Sequence, residues 1–266
     1  MTSSVRSTTT TRVPMDAQRR TSLTVGVLFL LTLVFAIPGV IAYGPVLDDP
    51  RYALGAGADV HVPLGVFFEI LTVMANIGTA MVLYPLLRRQ SESLALSYVA
   101  ARLIEGTLIV VGMLSLLAVM TLRLNAAAAD PGSLLVASQS LVAIHDWTFL
   151  LGPGFMSGLG NGLLLGYLMY RSGLVPRRLA LIGMAGGALV CASGIAVLFG
   201  VIEAGSTSQG LATILEIVWE IGILGLYLIV KGFDPSAVAA LVSDSNDKDQ
   251  RAPSSSIASA TTVGAS

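Results

Sequence analysis

The chain has 266 residues, of which 54% are hydrophobic and 12% are charged, and its mean hydropathy is +0.80. Soluble domains carry about 25% charged residues, so this composition excludes an ordinary soluble domain and predicts a multi-pass membrane protein. The net charge of −1 and the scattered basic residues indicate no nucleic-acid surface. A single cysteine excludes an internal disulfide and a cysteine-based metal cage, and two histidines cannot form a multi-histidine metal site without carboxylate help.

Six apolar runs divide the chain. Residues 1–20 are rich in Ser, Thr and Arg, which is typical of a disordered tail. The apolar runs predict transmembrane helices at about 21–43, 62–87, 95–121, 146–170, 179–201 and 211–231. Residues 234–266, rich in Ser, Ala and Asp, predict a second disordered tail. We therefore expect an all-α bundle of six transmembrane helices over residues 21–233, with the lipid bilayer as its partner.

Basic residues between the runs predict the orientation. One side of the bundle receives 12 of them: Arg6, Arg12, Arg19, Arg20, Arg88, Arg89, Arg171, Arg177, Arg178, Lys231, Lys248 and Arg251. The opposite side receives only Arg51 and Arg123. Cytoplasmic loops carry an excess of Lys and Arg, so both termini are expected in the cytoplasm.

The fourth run requires an interruption. An amphipathic segment precedes it at residues 131–144, and an unbroken helix from Leu134 to Tyr170 would be about 55 Å long, against a hydrocarbon core of about 30 Å. A break is predicted at Gly152, Pro153 and Gly154, because proline removes a backbone donor and clashes with the preceding turn. It could be a simple kink or a discontinuous helix that lines a cavity.

Acidic residues stand inside these apolar runs. They are Glu69, Glu105, Asp146, Glu216 and Glu220. A charge at the bilayer centre costs roughly 2.5–3.5 kcal/mol, so these carboxyls are expected to be neutral, paired or in contact with water inside the bundle. The direction of each helix places most of them in its outer half, which predicts an outward-facing polar pocket.

Spacing assigns partners to these acids. Glu69 and Asn76 are two helical turns apart and share one face, and Glu216 and Glu220 are i, i+4 neighbours. Arg102 and Glu105 are i, i+3 neighbours, which predicts a structural ion pair. The candidate ligand or ion-binding residues are thus Glu69, Asn76, His145, Asp146, Glu216 and Glu220.

Three functions could use this set. The pocket could bind or move a cation, a proton or a small ligand. Carboxylates with His145 could instead hold a divalent metal in an intramembrane hydrolase or lipid-modifying enzyme. The same residues could also only specify packing in an accessory or sensor protein. No catalytic motif is recognised, and the sequence names no cofactor.

Four stretches resemble a known family. They read YGPVL at 43–47, YVAARLIEG at 98–106, AIHDWTFLLGPGF at 143–155 and LIVKGF at 228–233. They resemble the domain-of-unknown-function family 4386, whose members are bacterial multi-pass membrane proteins. The resemblance implies a location in the bacterial inner membrane, and it implies no activity and no catalytic residue.

Overall fold

The computed structural model describes residues 15–55 and 57–251, which form helices and turns without a β-strand among them. Six helices are long and apolar enough to cross a membrane. They are α1 Met15–Asp48, α2 His61–Leu87, α3 Glu92–Leu124, α4 Pro131–Ser172, α5 Arg177–Leu198 and α6 Thr207–Val230, and a shorter helix, α7 Pro235–Arg251, follows them. Over the described residues, the prediction of an all-α protein with six helices long and apolar enough to span a membrane is confirmed.

Consecutive helices pack as antiparallel hairpins, and α6 returns to α1 to close the bundle. This closure depends on Gly26 of α1, because a methyl group there would lie only 2.7 Å from the carbonyl oxygen of Gly225 in α6. The start of α1, the loops at 88–91 and 173–176, and α7 lie at one end, called here the terminal end. The loops at 49–60, 125–130 and 199–206 lie at the opposite end, called the far end.

The fourth helix differs from the prediction, because it begins at Pro131 and continues to Ser172 without a gap. The chain does not leave the helix at Gly152, Pro153 and Gly154. Those residues lie in a π-helical segment, Leu150–Met156, and a second one, Gly158–Leu165, follows. A π-helix bonds i to i+5 and accommodates irregular hydrogen bonding inside a helix, so the wider turns take up the proline. The same geometry recurs in α6 at Val218–Gly225.

The C-terminal segment also differs from the composition-based expectation. Residues 235–251 form α7 instead of a flexible tail, while residues 1–14 and 252–266 lie outside the described part of the chain. The helix is held by its apolar face, where Val238, Leu241 and Val242 are buried against the bundle. The Asp234 carboxylate accepts hydrogen bonds from the backbone N–H groups of Ser236 and Ala237 and so caps its first turn.

Two apolar clusters form the interior. The terminal-end cluster includes Ala80, Leu83 and Tyr98, and the far-end cluster includes Val62 and Leu116. Along α2 and α3, the sequence between these positions carries buried polar residues, namely Glu69, Thr72, Asn76 and Thr79 on α2 and Arg102, Glu105 and Ser115 on α3. The fold therefore places a polar layer between two apolar ones.

Candidate functional site

Arg102 lies at the centre of the polar layer. Its side chain is 1% exposed, and its Nη1 donates to Oε2 of Glu105 at 2.7 Å, so the predicted ion pair is present. Its Nη2 donates to Oδ1 of Asn76 at 2.5 Å. The Asn76 amide in turn donates to Oε1 of Glu105 at 3.1 Å. Both oxygens of Glu105 are thereby satisfied, and α2 is joined to α3 by a closed triangle of hydrogen bonds.

Glu220 brings α6 to the same guanidinium. Its Oε1 lies 3.6 Å from Nη2 of Arg102, and its side chain is 7% exposed. Ser157 and Asn161 of α4 lie beside this carboxyl. Glu220 and Asn161 belong to π-helical segments, so the irregular turns of α4 and α6 face each other across the cluster.

Glu216 lies one helical turn before Glu220, against two glycines. It is 3% exposed, and neither of its carboxyl oxygens has a hydrogen-bond partner among the described residues. A methyl group on Gly162 of α4 would lie 2.8 Å from Oε1, and one on Gly186 of α5 would lie 2.7 Å from Oε2. The carboxyl therefore occupies a space that exists only because both neighbours lack a side chain. We call Asn76, Arg102, Glu105, Glu216 and Glu220 the central cluster.

Glu69 and His145 belong to a second group. The hydroxyl of Tyr43 in α1 donates to Oε2 of Glu69 at 2.8 Å, and both side chains are buried. The His145 ring stands edge-on to Tyr43, with centroids 5.7 Å apart, and 4.7 Å from the Phe149 ring. Nδ1 of His145 lies 3.4 Å from Oδ1 of Asp146, whereas its Nε2 is buried with no partner within the described chain. We call Tyr43, Glu69 and His145 the outer group.

The contacts thus divide the predicted site residues between two places. Asn76, Glu216 and Glu220 lie with the Arg102–Glu105 pair, and Glu69 lies with His145. Asp146 is 65% exposed and lines a cleft at the far end that also contains Asp49, Tyr52 and Ser138. A single pocket formed by all six residues stays a prediction without a supporting contact.

Sequence reasoning missed Tyr43, Asn161 and Gly186 as parts of the site. Asn161 is an amide inside an apolar run, which is the same signal that identified Asn76. Gly186 stands next to Gly187 in a glycine-containing run, where packing is the ordinary interpretation of each glycine. Tyr43 stands at the end of an apolar run, where tyrosine is commonly an interfacial residue, so no pattern distinguished it.

The described residues include no group of three or more His, Cys, Asp or Glu side chains that could hold a metal ion. The carboxyls of the central cluster are instead arranged around a guanidinium.

Comparison with protein families gives one match, to a model described as "Domain of unknown function (DUF4386)", over residues 24–232. The chain belongs to the DUF4386 family. The predicted resemblance is confirmed, and the match covers all six membrane-spanning helices almost completely. No curated protein and no solved structure matches the chain. The central cluster and the outer group both lie inside the matched residues.

Proposed function

We propose that this DUF4386 protein binds and exchanges a proton inside the membrane, at the carboxyls of Glu216 and Glu220. The single observation that carries the proposal is the buried carboxyl of Glu216, whose two oxygens have no partner among the described residues. An unpaired carboxylate in that place is far more costly than a neutral carboxylic acid. Glu216 is therefore the group that holds the proton.

Charge counting in the central cluster supports this assignment. With one guanidinium and three ionised carboxyls, Glu105, Glu216 and Glu220, the net charge would be +1 − 3 = −2. Arg102 compensates for the carboxylate with which it forms a direct hydrogen bond, Glu105. Two like charges held close together cannot both remain ionised cheaply, so Glu216 and Glu220 share at least one proton.

Packing favours a proton over a metal cation or an organic ligand. The glycines that contact Glu216 leave its oxygens against helix backbone, and hard cations such as Mg²⁺ keep several waters when bound. Arg102 also repels a second cation. Glu216 and Glu220 do not line either of the two clefts at the ends of the bundle. Asp146 lines the far-end cleft, and Arg89 lines the terminal-end cleft.

Infrared spectroscopy of the purified protein tests the proposal. A protonated carboxyl group has a carbonyl stretch separate from that of a carboxylate, and we expect Glu216→Gln to remove one such band at neutral pH. Glu203→Gln is the matched control, because Glu203 is an exposed acid in the loop before α6. A Glu216→Gln spectrum that keeps every band of the unsubstituted protein would contradict the proposal.

A packing role is the second candidate, and the observation in its favour is that Arg102 and Glu105 of α3 both form hydrogen bonds with Asn76 of α2. In that case the central cluster would only specify the bundle, as in an accessory or sensor protein. Loss of folding in Glu216→Gln and Glu220→Gln, with no lost acid band, would favour this role.

We further propose that the protein is located in the bacterial inner membrane with both termini in the cytoplasm. The support is the 12-to-2 distribution of basic residues between the terminal and far ends. This orientation makes the far-end cleft face outward and the basic loops at 88–91 and 173–176 face inward.

A further inference from the structure

We infer that the outer group, Tyr43, Glu69 and His145, is a second proton-binding station that connects the far-end cleft to the central cluster. The inference rests on the proposed function, because a path needs a proton-binding site at its inner end. It assigns a role to two buried titratable side chains, Glu69 and His145, that the central cluster does not use.

The contacts inside the outer group form a chain across three helices. Glu69 of α2 accepts its hydrogen bond from the Tyr43 hydroxyl of α1, and the Tyr43 ring contacts the His145 ring of α4. From α3, Gly112 lies against His145, where a methyl group would come within 3.4 Å of Cδ2 of the ring. The titratable groups that contact His145 are thus Tyr43 and Asp146, α3 contributes a glycine, and Glu69 is reached through the Tyr43 hydroxyl.

The outer end of this chain reaches solvent. Asp146 is exposed and lines the far-end cleft, and its carboxylate lies 3.4 Å from Nδ1 of His145. His145 itself is 3% exposed, with an unpartnered Nε2 among the described residues. One ring nitrogen therefore faces an exposed acid, and the other faces the interior without a hydrogen bond. This is the arrangement required of a group that receives a proton on one side and releases it on the other.

The inner end continues along α2. Glu69, Thr72 and Asn76 fall at i, i+3 and i+7, so they share one helix face. All three are buried, and Asn76 contacts both Arg102 and Glu105. Thr32 of α1 also donates to Oδ1 of Asn76 at 3.3 Å. The Thr72 hydroxyl thus lies within the interval of about 10 Å between Glu69 and Asn76, and the Thr32 hydroxyl lies at its inner end.

The chemistry needs no partner beyond water. His145 takes a proton from a hydronium ion in the cleft, which leaves water, and becomes an imidazolium. The imidazolium then gives its proton to the Tyr43 hydroxyl oxygen while that hydroxyl passes its own proton to the Glu69 carboxylate, so Tyr43 ends unchanged. The products are a neutral imidazole and a neutral acid held by the Tyr43 hydroxyl. Histidine suits this step because its charge changes between about pH 5 and 8 in an unperturbed setting.

Hydrogen–deuterium exchange of the Glu216 acid band tests the path. The protein is transferred from H₂O to D₂O, and the isotope shift of that carbonyl band is followed in time. We expect His145→Phe, which keeps an aromatic ring against Phe149, to slow the exchange about tenfold or more, since proton transfer by a positioned side chain contributes roughly 10²–10⁴-fold. Tyr43→Phe removes only a hydroxyl and is expected to slow it as well.

Controls make the two proposals separable. His61→Phe changes an exposed far-end histidine and should leave the exchange rate unchanged. If the Glu216 band is present but its exchange is unaffected by His145→Phe and Tyr43→Phe, the path is refuted while the proton site stands. If Glu216→Gln removes no band, both proposals are refuted. Thermal unfolding of each variant shows whether it retains the fold, and the milder Tyr43→Phe decides the matter if His145→Phe does not fold.

Discussion

Arg102 and Glu105 form a buried ion pair at 2.7 Å, and the remaining oxygen of the carboxylate is occupied by Asn76. The two residues are close in sequence, but the contacts of Arg102 extend to other helices. The second nitrogen of the guanidinium contacts α2 through Asn76 and approaches Glu220 of α6. One cation therefore fixes the relative positions of three helices.

Removal of this cation should be strongly destabilising. Arg102→Met leaves Glu105 and Glu220 without a counter-charge, and the loss of one member of a buried pair costs about 3–5 kcal/mol. We expect a correspondingly lower free energy of unfolding in detergent titrations. Arg102→Met combined with Glu105→Leu should lose less than the sum of the single changes, because it also removes the unpaired acid. Additive losses would show that the pair contributes nothing to stability.

The glycine seam between α4 and α5 gives a second prediction. A methyl group on Gly187 would lie 2.6 Å from Cα of Gly162, so Gly187→Ala must push the two helices apart. Overpacking of this kind costs about 1–3 kcal/mol. The matched control is Gly210→Ala in α6, where a methyl group meets nothing within 4 Å, and alanine there should be neutral or slightly stabilising. Equal unfolding free energies for the two variants would refute a close-packed seam.

The sequence predicted the six spans because each carries enough apolar residues to cross a bilayer, a signal that needs no tertiary information. It also predicted the Arg102–Glu105 pair, because i, i+3 neighbours meet on any helix. It could not assign Glu216 and Glu220 to that pair, since their proximity depends on how α6 packs against α3 and α4. Their predicted depth in the membrane is similar to that of Glu69, so the sequence groups them with Glu69 instead.

Two local features could not be predicted from the sequence, for different reasons. Pro153 predicts an irregular turn but does not specify its form, and the π-helical segments became visible only in the folded chain. The α7 segment has few apolar residues, so composition favoured a flexible tail. Its helix is stabilised by burial of Val238, Leu241 and Val242 on a surface that the bundle creates.

The far-end loop should respond to acid. Burial by itself raises the pKa of Asp59. This carboxylate accepts hydrogen bonds from the backbone N–H of His61 and from the Tyr52 hydroxyl, and the His61 ring lies 2.5 Å away. These contacts outweigh burial and lower the pKa of Asp59 to about 2. The folded-state pKa is below the ordinary value of 3.8, so the stabilisation is complete above about pH 4 and is lost as the pH falls through about 2. The difference in unfolding midpoint between the unsubstituted protein and Asp59→Asn should therefore be at its full size at pH 6 and much smaller at pH 2. A difference of equal size at both values would contradict this linkage.

The cap of α7 should control its docking. Asp234→Ala removes a carboxylate that accepts from two backbone N–H groups and from the Ser236 hydroxyl, and loss of an N-cap costs roughly 0.5–2 kcal/mol. We expect faster amide hydrogen exchange over residues 235–246, with the six spans unaffected. Asp244→Ala, at an exposed position on the same helix, is the control and should leave that exchange unchanged. Protection that survives Asp234→Ala would show that the apolar face alone holds α7.

The orientation prediction concerns the far end, where the basic residues are few. Of its two, Arg123 is occupied inside the protein, since it donates to the carbonyl oxygen of Tyr52 and lies 4.5 Å from the centroid of that ring. Arg123 keeps its charge in this setting, so the far end carries two basic residues against 12 at the terminal end. This difference predicts that the far end is the translocated one.

Cysteine labelling of intact cells measures that orientation. Cys191 is buried and is replaced by alanine, after which single cysteines are introduced by Glu203→Cys at the far end and Asp244→Cys on α7, both at exposed positions. A membrane-impermeant maleimide should label the far-end cysteine in intact cells and the α7 cysteine only after permeabilisation. The reverse pattern would place the Asp146 cleft in the cytoplasm. The proton path from that cleft to the central cluster would then open inward, and an inward-facing pH change would be the one that Glu216 follows.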